Sequence, residues 1–351
     1  MRILVLSFSL TSGGAERFVV DLCNALSAAH EVTLLTSNDD AAGSNACYRE
    51  ELLPAVSYRN LHAASGHAPK ALRGILRTVR ELRPDIVHAH SDLVQLLLPA
   101  LLVSGVKYVH TLHNVAGFFL PHTWLRPLFR AFYRRRVIPV TISRVCSESY
   151  HAVFGLDNDH LIPNGRAALR TSPQRETLRA ELAAFKAGRP LFLHLARYSP
   201  QKNQAMLFEA FAAVPDARLL VLGRDYPAEL VQRLSGERIR FAGERTNVAD
   251  YLSCADYFVL SSLFEGLPIS LLEAMAFGLV SVSTPAGGVV DVIRDGENGF
   301  LAADFSAASL AAAMRRALSC PLDRQAIMQE YQEKYAMETC AARYEQLFAE
   351  T

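Results

Sequence analysis

Short apolar runs punctuate the whole chain. The first half carries Ile3–Phe8, Val32–Thr36, Ile86–Ala89, Tyr108–Leu112 and Val137–Ile142. The second half carries Leu191–Leu195, Leu219–Leu222, Ile239–Ala242, Tyr257–Leu260 and Val280–Ser283. These runs are rich in Val, Ile and Leu and do not alternate with polar residues, the pattern of strands covered on both faces. Between them lie helical stretches such as Phe18–Leu26 and Ala205–Ala212, which supply the crossovers that parallel strands require. The prediction is an α/β chain made of two doubly wound, Rossmann-like domains. The turn Ile162-Pro163-Asn164-Gly165 ends the first half, and the polar stretch Arg166–Arg179 leads into the second. The expected division is therefore 1–163, 164–325 and a final helical segment, 326–351, that folds back onto the first domain.

Composition narrows the choice. A chain of 351 residues exceeds what one hydrophobic core usually fills. Half of it is hydrophobic and a fifth charged, which excludes a disordered chain. Thirty-six basic residues against 35 acidic ones give a net charge of +1, which argues against a protein built to coat nucleic acid. Six cysteines at 23, 47, 146, 254, 320 and 340 form no CxxC pair, so neither a zinc site nor a disulfide framework is suggested. The run Ile3–Leu10 reads as a first buried strand rather than a signal-peptide core, because Ser12-Gly13-Gly14-Ala15-Glu16 follows at once. The longest apolar stretch, Leu93–Val106, contains Gln95 and Pro99 and falls short of the ~20 residues that span a bilayer. The expectation is a soluble cytoplasmic protein, peripheral at most on the membrane's inner face.

In open parallel sheets, ligands bind outside the carboxyl ends of strands, so polar residues just after strands are the candidates. Gly13 and Gly14 stand at the first strand-to-helix turn, where the backbone can approach an anion closely. A plain tight turn reads equally well there. Arg197 follows the strand Leu191–Leu195, and Lys202 opens the next helix. A cation at a helix amino end opposes the macrodipole unless an anion lies nearby. The most informative stretch is Glu265-Gly266-Leu267-Pro268-Ile269-Ser270-Leu271-Leu272-Glu273, with Pro268 expected as the first helical residue and Gly278 as the stop. Glu273 stands in an otherwise apolar helix, where a carboxylate must reach water or find hydrogen-bond donors such as sugar hydroxyls. His88-Ala89-His90 and Asp157-Asn158-Asp159 imitate metal-ligand spacings, but the first has no evident third ligand and the second lies in a polar loop. No metal site is assigned. His113, after Tyr108–Leu112, is either a ligand contact or an ordinary loop histidine.

Taken together and in this order, these elements resemble the retaining GT-B glycosyltransferases of the family-4 type, over nearly the whole chain. Glu265 and Glu273 match that family's E-x7-E element, Arg197 and Lys202 its basic pair, and Gly13-Gly14 its first glycine loop. The resemblance implies a GT-B architecture, with two Rossmann-like domains facing a central cleft. It implies that Arg197 and Lys202 bind the diphosphate of a nucleotide-sugar, UDP favoured. Glu273 would accept bonds from the ribose hydroxyls and Glu265 from the transferred hexose or N-acetylhexosamine. The Gly14 amide and those after Gly266, at Leu267 and Pro268's turn, would touch phosphate or sugar, and His113 the donor sugar near the reacting centre. No metal or other cofactor is implied, because two fixed cations answer the charge that develops on the leaving phosphate. Two positions depart from the family's habit: Ala196 precedes Arg197 where Gly is frequent, and Gly223-Arg224-Asp225 replaces Gly-x-Gly. Competing readings are a nucleotide-sugar epimerase of the same architecture and a non-catalytic nucleotide-sugar binding protein.

From Leu93 to Ser147 there is no Asp or Glu, yet the stretch holds Lys107 and six arginines. Within Trp124–Arg136, Arg126, Arg130 and Arg134 form one helical stripe, and Leu125, Leu128, Phe129 and Phe132 another. Such a helix either lies on an anionic membrane with Trp124 at the interface, serving a lipid-linked or polysaccharide acceptor, or packs its apolar stripe on the sheet.

Overall fold

The computed structural model describes residues 1–11, 13–38, 48–63, 69–90, 92–120 and 122–350; Ser12 of the glycine loop and Cys47 fall outside them. The chain divides into two compact units, Met1–Ala167 with Tyr335–Thr351, and Ala168–Lys334. The first change of unit thus comes four residues after the turn at 163/164, and the second falls within the segment read as one terminal helix. That segment is two helices, Arg324–Lys334 and Met337–Glu350. They part at Tyr335-Ala336, where Ala336 bridges to Arg166. Only the second of them belongs to the first unit.

The first unit holds a sheet of β1 (Arg2–Ser7), β2 (Glu31–Thr36), β3 (Val56–Asn60), β4 (Ile86–Ala89), β5 (Lys107–Leu112), β6 (Val137–Thr141) and β7 (His160–Leu161). Its order is β3-β2-β1-β4-β5-β6-β7, with every pairing parallel. The second unit holds β8 (Leu191–Leu195), β9 (Arg218–Leu222), β10 (Ile239–Gly243), β11 (Tyr257–Leu260), β12 (Val280–Ser283) and β13 (Gly299–Leu301), ordered β10-β9-β8-β11-β12-β13 and again all parallel. Both sheets reverse direction of growth beside their first strand, between β1 and β4 and between β8 and β11. Those are the switch points where ligands of doubly wound folds bind.

The central strands are buried throughout, as their unbroken apolar runs require: β8 loses water from Leu191 to His194 and β9 over its whole length. Burying one such Leu or Phe side chain contributes about 1.5–3 kcal/mol. Beyond the sequence reading are β3 and β13, both at sheet edges. Edge strands need cover on fewer sides, so β3 (Val-Ser-Tyr-Arg-Asn) carries little apolar signal, and β13 is only three residues long.

Candidate active site

In the second unit, two loops at the switch point are laced into one body. Arg197–Asn203 leaves β8, and Ser261–Pro268 leaves β11. The Ser261 hydroxyl donates to the Lys202 carbonyl at 2.7 Å, the Leu263 amide to the Gln201 carbonyl at 2.8 Å, and the Gln201 side chain to the Phe264 carbonyl at 2.9 Å. These bonds bring Lys202 Nζ within 2.6 Å of Glu265 Oε1. The pair is largely withdrawn from water, with side-chain exposures of 19% and 7%. The family resemblance gives the two residues separate partners, the diphosphate and a sugar; in the structure each is the other's counter-charge.

Lys202 does not open a helix, as the sequence suggests. It ends a 3-10 turn, Pro200–Lys202, and left-handed Asn203 then starts the helix Gln204–Ala212. The cation still stands at the amino end of that helix, and Glu265, 2.6 Å away, is the nearby anion that answers the dipole. Pro268 is likewise not the first helical residue. It is extended, at ψ 124°, and caps the helix Ile269–Ala276, which Gly278 ends with φ +64°. The result is a buried turn over Glu265, Gly266, Leu267 and Pro268, leading into a helix whose Glu273 is buried with only 8% exposed. Arg197 projects into solvent from the first loop.

Several residues that hold this arrangement carry no signal in the bare sequence. Buried Gln204 donates from its side chain to the Arg197 carbonyl at 2.8 Å and accepts from the Ser199 amide at 3.3 Å, so it braces the loop from within. Gly223 (φ +139°) leaves β9 so close to this loop that a Cβ there would stand 1.9 Å from the Ala196 carbonyl oxygen. The Tyr226 hydroxyl donates to that same oxygen at 3.1 Å. Gly287 (φ +56°) does for Glu265 what Gly223 does for Ala196, since its Cβ would meet the Glu265 carbonyl oxygen at 1.9 Å. The departure at Gly223-Arg224-Asp225 thus keeps the one glycine that the close approach needs.

The first unit contributes a different set. Gly13 is extended (φ −168°) and precedes the helix Gly14–Leu26, which begins before the stretch Phe18–Leu26 read from the sequence. A Cβ on Gly13 would meet only the end of the flexible Glu16 side chain, so the demand for glycine is soft there. Glu16, in the helix's first turn, also places a carboxylate at the amino end proposed for an anion. His113 is held by His90, whose Nδ1 lies 3.0 Å from His113 Nε2, and by the edge of Phe18, 5.2 Å between ring centres. Burial pushes His113 down to about 4, and His88 and His90 well below the usual range, where neighbouring imidazoles add to the effect. All three are neutral at pH 7, so the bond between His90 and His113 needs one protonated and one bare nitrogen.

The spacings that imitate metal sites are spent on the fold. His88 Nε2 bonds the Thr111 hydroxyl at 2.8 Å, and its ring lies tilted against that of His90, with centres 3.9 Å apart. Asp159 accepts from the Thr141 hydroxyl and from His151, each at 2.6 Å, while Asn158 ties Tyr150 to the Tyr133 carbonyl. Among the described residues, no three His, Cys, Asp or Glu side chains form a metal-binding group.

The basic helix forms as Arg126–Arg135 after a 3-10 turn, Thr123–Leu125. Its apolar stripe is divided: Phe129 and Phe132 are buried in the unit's core and Leu125 packs partly against it, whereas Leu128 is 42% exposed. Arg126, Arg130 and Arg134 face solvent, and Trp124 is 73% exposed. What remains outward is a row of arginines with two apolar side chains, not a full amphipathic face. No helix among the described residues is long and apolar enough to cross a membrane.

Two Rossmann-like units, each built on an all-parallel sheet and the second carrying the Lys202–Glu265 pair at its switch point, make up a chain of the GT-B class of fold. Residues 12–167 match Glycosyltransferase Family 4 and residues 189–320 match Glycosyl transferases group 1, so the chain belongs to that glycosyltransferase family. Among its relatives is TuaC of Bacillus subtilis, named for teichuronic acid biosynthesis, 29% identical over 69% of this chain and 64% of that one. Another is the UDP-Gal:alpha-D-GlcNAc-diphosphoundecaprenol alpha-1,3-galactosyltransferase of Escherichia coli, 26% identical over 66% of each chain. These matches thus leave about a third of each relative uncovered. Among solved structures, Anabaena Alr3699/HepE in complex with UDP and glucose shares the fold over the full length of both chains, at a TM-score of 0.81 and 20% identity.

Proposed function

We propose that this chain is a retaining, metal-independent glycosyltransferase. It moves a hexose or N-acetylhexosamine from a nucleotide-diphosphate sugar, UDP favoured, to a lipid-linked or polysaccharide acceptor of cell-surface glycan synthesis. The observation that carries the reading is the Lys202–Glu265 pair, fixed by two interlocked loops at the switch point, with Arg197 on the same loop and Glu273 on the helix that follows. The relatives' names support the substrate class, since one is named for a UDP-sugar donor and a diphospholipid-linked acceptor and the other for teichuronic acid biosynthesis. The neighbour holding UDP and glucose supports the base.

In this mechanism, Lys202 and Arg197 meet the charge that grows on the departing diphosphate while the sugar becomes oxocarbenium-like. Glu265 exchanges its bond from Lys202 for bonds from sugar hydroxyls, and Glu273 receives those of the ribose. His113, neutral because buried, can donate or accept without adding charge, and is assigned to the donor sugar. The departing phosphate takes the acceptor's proton on the same face, so the anomeric configuration is kept. Exposed Arg126, Arg130, Arg134 and Trp124 support peripheral contact with an anionic cytoplasmic membrane surface.

The test is transfer of radiolabelled sugar from UDP-, GDP- and ADP-sugars to a lipid extract, with the product's anomeric configuration read by NMR. Turnover that survives excess EDTA and retains configuration supports the reading. Strict dependence on Mn²⁺, an inverted product, or epimerised donor without an acceptor would each sink it. Flotation with phosphatidylglycerol vesicles, lost in Arg126/Arg130/Arg134→Glu, tests the membrane contact.

A further inference from the structure

The second unit contains a cavity of about 790 Å³ at the end of the sheet opposite the catalytic loops. Its floor is the amino ends of the strands: Pro190 before β8, Asp256 and Tyr257 at the start of β11, and Val280 at the start of β12. It falls within the ~300–1,000 Å³ that small-molecule sites occupy. Five cations line it, Arg175, Arg179, Lys186, Arg189 and Arg324, against one carboxylate, Asp256.

The single carboxylate is already committed. Asp256 takes Lys186 Nζ at 2.7 Å and the Leu191 amide at 2.8 Å. The arginines are anchored without being neutralised. Arg175 donates from Nε to the Ser253 hydroxyl at 3.1 Å, Arg189 from Nη1 to the Pro215 carbonyl at 2.9 Å, and Arg324 from Nε to the Gly278 carbonyl at 2.9 Å. Their paired acidic neighbours, Glu176 and Asp216, lie outside the lining at 3.4–3.9 Å and are themselves 68% and 87% exposed, while buried Asp250, which also feels the Arg175 charge, spends its oxygens on Ser172 and Asn247. Such solvated pairs hold little charge in place. Each guanidinium has five N–H donors in a fork suited to phosphate oxygens, so donors remain.

Two of the five also stand on the wrong end of a helix. Arg175 is the first residue of the helix Arg175–Lys186 and Arg324 the first of Arg324–Lys334. Each of those amino ends already has a carboxylate, Glu176 in the first turn of one and Asp323, which accepts from the Gln325 and Ala326 amides, at the other, so the positive field over the cavity comes from the side chains. Apolar Leu182, Tyr257 and Leu322 supply a wall on the other side.

We infer that this cavity is a second binding site, for a small phosphorylated anion with at least two negative charges, separate from the nucleotide-sugar site. The test is calorimetric titration of the full chain with inorganic pyrophosphate. Wild type should show saturable binding that Arg197→Gln, in the catalytic loop, leaves in place, and that the double variant Arg175→Gln/Arg179→Gln weakens at least tenfold. Both altered residues are on the surface of one helix and Gln is a good helix former, so melting should stay within a few degrees of wild type. Sugar transfer measured without pyrophosphate should stay unchanged.

The source of the phosphate is read by flotation. In the Arg126/Arg130/Arg134→Glu protein, residual flotation with phosphatidylglycerol vesicles that pyrophosphate displaces and Arg175→Gln/Arg179→Gln removes marks a lipid headgroup; binding of pyrophosphate without such flotation marks a soluble ester. Absence of pyrophosphate binding at millimolar concentration, or binding that Arg197→Gln abolishes and Arg175→Gln/Arg179→Gln does not, overturns the inference.

Discussion

Lys202 and Glu265 have two proposed jobs, holding one another and holding the donor, and a double-variant cycle separates them. Lys202→Met leaves the Glu265 carboxylate, 7% exposed, without its 2.6 Å partner. Breaking a buried ion pair from one side costs about 3–5 kcal/mol, and Lys202's partial solvation brings the figure here to about 2–3. At about 2–4 °C per kcal/mol for a domain of this size, the second unit should melt roughly 5–10 °C lower, read by calorimetry. Glu265→Gln should destabilise by a similar amount. Lys202→Met/Glu265→Gln replaces two charges with two neutral groups of like shape, so most of the stability should return.

Activity should not return. A cation ~4 Å from the leaving phosphate is worth about 4 kcal/mol at an effective dielectric near 20, which is about three orders of magnitude in rate. Neither Met nor Gln replaces that charge. A double variant that regains both stability and transfer would show the pair to be purely structural, and the functional reading would fail with it.

Gly287→Ala, which drives a methyl onto the Glu265 carbonyl, should raise the KM for donor several-fold and lower the melting temperature; an unchanged KM would refute the glycine's role in seating that loop. Glu330 is held at about 2 chiefly by the Arg294 side chain, with Lys334 and Asn298 adding bonds. Because its folded value lies below its unfolded one, its contribution is complete above pH ~4.5 and is lost as pH falls toward 2. Glu330→Gln should therefore flatten the acid limb of the second unit's stability curve, and an unchanged limb would contradict this. His113 is depressed to about 4 by burial, so its stabilising share is present above pH ~6.5 and lost as pH falls toward 4. Its NMR signal should not titrate between pH 6 and 8; a midpoint inside that window would place it in water.

Much of the architecture is legible because a doubly wound sheet buries its central strands on both faces, and unbroken apolar runs such as Leu219–Leu222 announce that directly. β3 escapes because an edge strand can be as polar as Val-Ser-Tyr-Arg-Asn. The acids and cations of the site are legible because charged residues after buried strands need a reason. The brace from Gln204 closes back on its own loop, at Arg197 and Ser199, and Gly287 must be glycine because the Glu265 carbonyl of another loop lies against it; neither contact leaves a periodic pattern in the sequence. Helix starts shift for a similar cause: whether Lys202 begins a helix or ends a tight turn is decided by Asn203 adopting φ +50°. The stripe Phe129–Phe132 shows the limit of periodicity, since the spacing that would suit a lipid surface also suits a protein core.

The first unit is stitched from two segments, Met1–Ala167 and Tyr335–Thr351, that flank the second unit along the chain. Helix Met337–Glu350 seats Tyr344 and Phe348 in its interior, with the Tyr344 hydroxyl 2.9 Å from Thr111 and the Phe348 carbonyl 3.0 Å from Lys107. During synthesis, then, the leading portion emerges from the ribosome unfinished, while the whole of the later-made unit can fold first. Clipping a dozen residues from the tail should damage the half of the molecule that was translated earliest, and leave the half adjoining the cut intact.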